Sequence, residues 1–158
     1  MEVLLESVEE MHALGALVGV TAKAGGVVAL NGDLGAGKTM FAQGVGTALG
    51  IERAVTSPTF VLVNTYEEGH MPLIHADLYR IEEESEAIAI GLDEQLESDV
   101  LGIVEWAERF PGVLPLEHLA VRILLVPGSP DRRNVHLEAV GTSAGDWLAR
   151  IESAFSAS

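Results

Sequence analysis

The sequence predicts an α/β fold: a single domain on a mixed, mainly parallel sheet flanked by helices. Three observations predict it. Short apolar runs alternate with helix-period segments along the chain, the pattern of strand–helix–strand units whose helices cover a sheet. The run Val27-Val28-Ala29-Leu30 leads into Gly32-Asp33-Leu34-Gly35-Ala36-Gly37-Lys38-Thr39, which matches G-x-x-x-x-G-K-[ST] in its strand–turn–helix context. At 158 residues the chain suits one core rather than two, so 1–158 reads as one domain. Together these specify a P-loop NTPase-like architecture.

Residues 1–5 read as a short edge strand. Ser7 and Glu10 have capping-box spacing ahead of Met11, Leu14, Leu17 and Val18, so a helix follows to about residue 24. Gly25-Gly26 turns the chain into a strand over 27–31. After the glycine-rich loop, Phe41, Val45, Ala48 and Leu49 share one face of a helix over 38–49, which Gly50 stops. Thr56-Ser57-Pro58-Thr59 punctuates the next stretch, and Phe60-Val61-Leu62-Val63 reads as a strand. Gly69-His70 marks a turn before an apolar strand over 72–77 that ends in Asp77. Acidic helical segments follow at about 82–91 and 92–96, then a strand over 100–105 ending in Glu105. Two β-runs at 119–126 and 135–140, separated by Gly128-Ser129-Pro130-Asp131, suit an antiparallel pair. An amphipathic helix at about 144–155 closes the pattern, which argues for a parallel centre mixed with antiparallel strands.

The chemistry gathers where the strands end. A glycine-rich turn between strand and helix lets consecutive backbone N–H groups face phosphate oxygens. Lys38 adds a charge at the β/γ-phosphates and the Thr39 hydroxyl a ligand for Mg²⁺, so the implied ligand is a purine nucleoside triphosphate. Ligands in such sheets sit at the carboxyl ends of the strands, which places Asp77 and Glu105 beside this loop. One can serve Mg²⁺ while the other positions or deprotonates water; either alone is equally a solvated strand-end acid. Segment 56–59 is a turn that can also sense the γ-phosphate. His75 reads as a core or outer histidine beside the site rather than a ligand, since no other histidine has ligand spacing to it. Trp106 reads as core, Arg132 and Arg133 as exposed turn residues within reach of phosphates, and Glu82, Glu83, Glu84 and Glu86 as a solvated face.

Composition excludes several classes. The absence of cysteine rules out a disulfide scaffold and thiolate metal sites; no cationic segment precedes an apolar stretch near residue 1, so export is not expected, and no apolar run approaches ~18 residues, so neither is a membrane span, which leaves the cytoplasm as the simplest location. A net charge of −15 with nine Lys and Arg makes a poor stand-alone nucleic-acid binder, because that affinity comes largely from cations neutralising phosphates. A nucleic acid in the pathway would be held mainly by a partner.

Four ordered segments resemble the TsaE (formerly YjeE) family: the 32–39 loop, Val55-Thr56-Ser57-Pro58-Thr59-Phe60, His75-Ala76-Asp77-Leu78-Tyr79-Arg80, and Val104-Glu105-Trp106. The family is the ATPase of the bacterial system that makes threonylcarbamoyladenosine on tRNAs reading codons that begin with A. The resemblance implies that Asp33, Leu34, Gly35, Ala36, Gly37, Lys38, Thr39 and Met40 bind ATP, and that Thr39 and Glu105 hold Mg²⁺. It further implies that Asp77 acts near the γ-phosphate with Lys38 and Glu105 as the other catalytic groups, and that Ser57, Pro58 and Thr59 form a nucleotide-responsive switch. It implies TsaB and TsaD as partners, with tRNA held mainly through them, and slow hydrolysis that resets their complex. Met11 stands where members often carry Thr near the base, and Met40 where a second Thr is common. The competing readings are a small-molecule P-loop kinase, which needs phosphate-clamping cations that are scarce here outside the loop and has no Arg-rich lid segment to supply them, and a nucleotide-gated switch. The Asn-Lys-x-Asp tetrad that reads guanine does not occur.

Overall fold

A computed structural model describes residues 1–58 and 62–158. Seven strands form one sheet in the order β1-β7-β6-β2-β5-β4-β3. The centre is parallel: β2 (Val27–Gly32) pairs with β5 (Leu101–Glu105) and β6 (His118–Val126), and β5 pairs with β4 (Leu73–Asp77). The flanks are antiparallel: β3 (Val63–Tyr66) on β4, and β1 (Glu2–Leu5) and β7 (Ser129–Val140) beyond β6. β2 and β5 are buried on both faces, as parallel strands covered by crossover helices must be.

Alternation along the strands divides the core in two. Val28, Leu30, Leu101 and Ile103 pack toward α1 (Val8–Thr21), α2 (Lys38–Ala48) and α5 (Thr142–Ser156). Val27, Ala29, Ile74 and Val104 face a smaller cluster containing Ala87 of α3 (Glu84–Ala89) and Leu92 and Leu96 of α4 (Leu92–Leu96). The two-residue side-chain period of a strand produces this split without further instruction.

α1 starts where the capping signal puts it, with the Ser7 hydroxyl accepting from Glu10 N at 3.2 Å. It crosses α2 at backbone contact: a Cβ on Gly15 would collide with the Phe41 carbonyl, and one on Gly44 with the His12 carbonyl. Trp147 on α5 ties the same helix down by donating to the Val18 carbonyl and Thr21 Oγ1. The helix following the glycine-rich loop therefore rests on a rigid floor.

Two segments differ from the expected pattern. The strand expected over 60–63 appears as β3, which starts at Val63 and runs on to Tyr66; Leu62 is bent at φ +65°, and Phe60 and Val61 lie outside the described residues. The expected gap at 128–131 is narrower, because β7 begins at Ser129 and carries Pro130, Asp131, Arg132 and Arg133 into the hairpin. A Pro near the start of a strand is tolerated where the ladder is irregular, and the register shifts between Leu125 and Val126.

Candidate functional site

The glycine-rich loop leaves β2 and enters α2 through two residues in the left-handed region, Gly35 at φ +77° and Gly37 at φ +112°. Only glycine takes such angles at little cost, which is why the spacing of these residues matters more than the residues between them. The turn is closed by Ala36 N donating to the Asp33 carbonyl at 3.0 Å. From outside, Arg133 of β7 braces it, with Nε donating to the Ala36 carbonyl at 2.9 Å and Nη2 to the Gly35 carbonyl at 3.2 Å. Arg133, expected in a turn, is thus a strand residue that holds the loop.

Lys38 is 7% exposed. Its Nζ donates to the Gly32 carbonyl at 2.5 Å and the Asp33 carbonyl at 2.9 Å, and lies 4.9 Å from the centre of the Trp106 ring. Burial pushes the ammonium below the ordinary lysine range, and the charges of Glu105, Asp77 and Asp33 oppose that shift. Thr39 sits exposed in the first turn of α2, where N–H groups without helical partners and the helix dipole favour an anion.

Across the cleft, parallel register puts Asp77 directly opposite Glu105 at the last rung of β4 and β5. The Ser57 hydroxyl bonds to Asp77 Oδ2 at 3.1 Å and Glu105 Oε2 at 3.4 Å, linking segment 56–58 to both acids. Asp77 Oδ1 also accepts from Tyr79 N at 2.9 Å. Glu105 is 2% exposed, and its Oε2 lies 2.8 Å from Nε2 of the fully buried His75.

These groups line one cleft of about 590 Å³, with Leu34, Gly35, Gly37, Lys38, Thr39 and Met40 on the loop side and Ser57, Asp77 and Glu105 opposite. Ala36 is buried under the loop, Asp33 is exposed at its start, and Pro58 is buried beside Ser57; Thr59 lies outside the described residues. Sequence reasoning missed Gln43, Tyr79 and Arg80, which also line the cleft. The signal for the latter pair lay in plain view: they stand two and three residues after the strand-end carboxylate of Asp77. Trp106, expected in the core, packs half-buried against the smaller cluster and, turned at φ +59° with its ring centre 5.1 Å from that of Tyr79, also walls the cleft. A second cleft of about 220 Å³ opens at the far end of the sheet between Lys23 and Arg150, and there the Glu117 carboxylate already accepts from Ser143 N at 3.0 Å.

A family model described as "Threonylcarbamoyl adenosine biosynthesis protein TsaE" matches residues 5–134. The chain belongs to the TsaE family. It is similar to the tRNA threonylcarbamoyladenosine biosynthesis protein TsaE of Bacillus subtilis, 44% identical over 133 residues covering 84% of this chain and 82% of that one. Its likeness to the protein of the same description from a Nostoc species is 39% over 152 residues, covering 94% and 91%. The fold matches the crystal structure of Bacillus subtilis YdiB with a TM-score of 0.81 at 32% identity, over 97% of this chain and 94% of that one. Membership runs from β1 to β7, so it takes in the loop, both strand-end acids and the bracing Arg133.

The available donors are oxygens: the Thr39 hydroxyl and the carboxylates of Asp77 and Glu105. That set suits a hard cation, and with no cysteine in the chain there is no thiolate to favour a soft one. Among the described residues no group of three or more His, Asp and Glu could hold a metal ion by itself. Magnesium is commonly bound by one or two carboxylates together with ligand phosphates, so such a partial shell fits it. No helix of the described residues is long and apolar enough to cross a membrane.

Proposed function

We propose that this chain is the ATP-hydrolysing subunit of tRNA threonylcarbamoyladenosine formation, acting with TsaB and TsaD and leaving the transfer of the threonylcarbamoyl group to them. Membership of a family described by that biosynthesis supports the pathway. The observation that carries the ATPase reading is the convergence, in one cleft, of a strand–glycine loop–helix, a buried lysine, and two carboxylates on adjacent parallel strands.

On this reading the backbone N–H groups of 33–40 hold the phosphates, and Lys38 turns from the Gly32 and Asp33 carbonyls toward the β/γ-oxygens. Thr39 and Glu105 would hold Mg²⁺, which would supply charge neutralisation to the nucleotide phosphates. Asp77 orients the water that attacks the terminal phosphorus as the bond to the bridging oxygen breaks. Ser57, bonded to both acids, reports the occupancy of the site to segment 57–59. Among the described residues Lys38 and Arg80 are the cations that line the cleft, while Arg122 and Arg132 are engaged elsewhere, with Glu108 and Glu6; so few cations fit slow hydrolysis that partners accelerate. The chain's acidity fits tRNA being held mainly by those partners.

Reconstitution with TsaB, TsaD, tRNA and radiolabelled threonylcarbamoyl donor tests the proposal. Wild type should support many rounds of modification, and Lys38→Ala should block repeated cycles. Full-rate multiple turnover by the partners alone would overturn the pathway assignment, and ATP-dependent phosphorylation of a metabolite would replace hydrolysis with a kinase reaction.

A further inference from the structure

His75 occupies a place where an apolar residue would fill the space more cheaply. On β4 it shares a face with Leu73 and Asp77, and register sets it opposite Ile103, between Leu101 and Glu105 on β5. It is fully buried. A polar ring there carries a desolvation cost that only hydrogen bonds offset, yet among the described residues its Nδ1 has no partner. Among the described residues the ring makes one bond, from Nε2 to Glu105 Oε2 at 2.8 Å. A carboxylate oxygen accepts, so Nε2 is the donor in this bond. A leucine would leave no orphaned nitrogen, so the gain that retains an imidazole lies in that single bond.

The geometry points to His75 as a positioning residue for the metal site: its Nε2–H pins Oε2 of Glu105, so that the carboxylate is held in one rotamer and presents Oε1 to the divalent cation of the bound nucleotide. This rests on the Mg²⁺–ATP reading above. Three features support it. The bond is dry at both ends, since Glu105 is itself 2% exposed, so water does not compete for it. It restricts a group two rungs away on the neighbouring strand, where the rigid parallel centre of the sheet fixes the separation. And it acts on the same oxygen that the Ser57 hydroxyl approaches at 3.4 Å, so one oxygen of the carboxylate is held from two sides. Donors behind a liganding carboxylate ordinarily change metal affinity by about ten- to a hundredfold when removed.

The test titrates Mg²⁺ by calorimetry into the whole protein saturated with the β,γ-imido analogue of ATP, comparing wild type with His75→Leu, His75→Gln and His75→Asn. His75→Leu should weaken apparent Mg²⁺ affinity about ten- to a hundredfold while metal-free nucleotide affinity stays unchanged. His75→Gln, whose amide nitrogen reaches as far as Nε2, should recover most of the loss; the shorter His75→Asn should not. A merely structural role would not separate Gln from Asn in this way. A folded His75→Leu with wild-type Mg²⁺ affinity, or equal losses in Gln and Asn, overturns the proposal; should His75→Leu fail to fold, the Gln–Asn contrast decides it. Wild type showing no Mg²⁺-dependent nucleotide binding is a different result, and it overturns the ATPase reading itself.

Discussion

Asp77 and Glu105 face each other across the last rung of two parallel strands and share a single hydroxyl donor, Ser57. The hydroxyl has one proton for two acceptors and lies closer to Asp77 Oδ2, at 3.1 Å, than to Glu105 Oε2, at 3.4 Å. If this bridge sets their geometry for hydrolysis, Ser57→Ala should depress turnover about ten- to a hundredfold and leave nucleotide affinity nearly unchanged, because the loop donors are untouched. Glu105→Ala and Asp77→Ala should behave alike in direction. Steady-state hydrolysis in the assembled complex, beside calorimetric ATP binding, checks this; wild-type turnover in Ser57→Ala would show the bridge to be incidental.

Lys38→Ala should cost ATP binding about 1.5–3 kcal/mol, or roughly ten- to a hundredfold in Kd, the loss of charged hydrogen bonds to phosphate. The same lysine gives a pH signature without any ligand. Burial lowers its pKa in the fold, so between the folded value and the ordinary lysine value of 10.5 the unfolded chain holds more protons than the folded one. Stability contributed at this site therefore rises with pH across that window. Thermal melts of wild type and Lys38→Met at pH 7 to 10 should show wild type gaining on the variant as pH rises; a constant gap would contradict the burial of a charged ammonium.

The backbone contact of α1 with α2 makes two glycines poor places for a methyl group. Gly15→Ala should lower stability by about 1–3 kcal/mol, since the Phe41 carbonyl opposite it is main chain and cannot swing aside. Gly145→Ala, in α5 with nothing near its Cβ position, should instead raise stability by about 0.5–1 kcal/mol. Denaturant unfolding of both variants gives the comparison, and similar signs would refute the crossing geometry.

Arg133→Met should loosen the glycine-rich loop by removing the donors to the Ala36 and Gly35 carbonyls. Amide hydrogen exchange at 35–37 should quicken while that in β2 stays slow. A weaker ATP affinity should accompany it, because a loop ordered in advance binds more tightly than one ordered on binding. Unchanged exchange at 35–37 would mean that the loop holds its shape without the brace.

Much of this molecule follows from local pattern. Gly35 and Gly37 demand left-handed backbone, Ser7 caps a helix through its own hydroxyl, and apolar runs that end in acids place Asp77 and Glu105 at strand ends. Each depends on residues within a few positions of one another, so the sequence by itself determined the loop, most elements and the roll of candidate residues. Register and long-range approach do not have that property. The pairing of Asp77 with Glu105, the bond from His75 to Glu105 across 30 positions, and the reach of Arg133 to a loop 97 residues earlier arise only when β4, β5 and β7 take their places in the sheet. Trp106 shows the limit most plainly: its aromatic ring favours the core by composition, and a single positive φ at the strand end turns it into the wall of the cleft. Tertiary structure decided those relationships because hydrogen bonds and ring contacts are set by distances in space, to which a local pattern of residue types is blind.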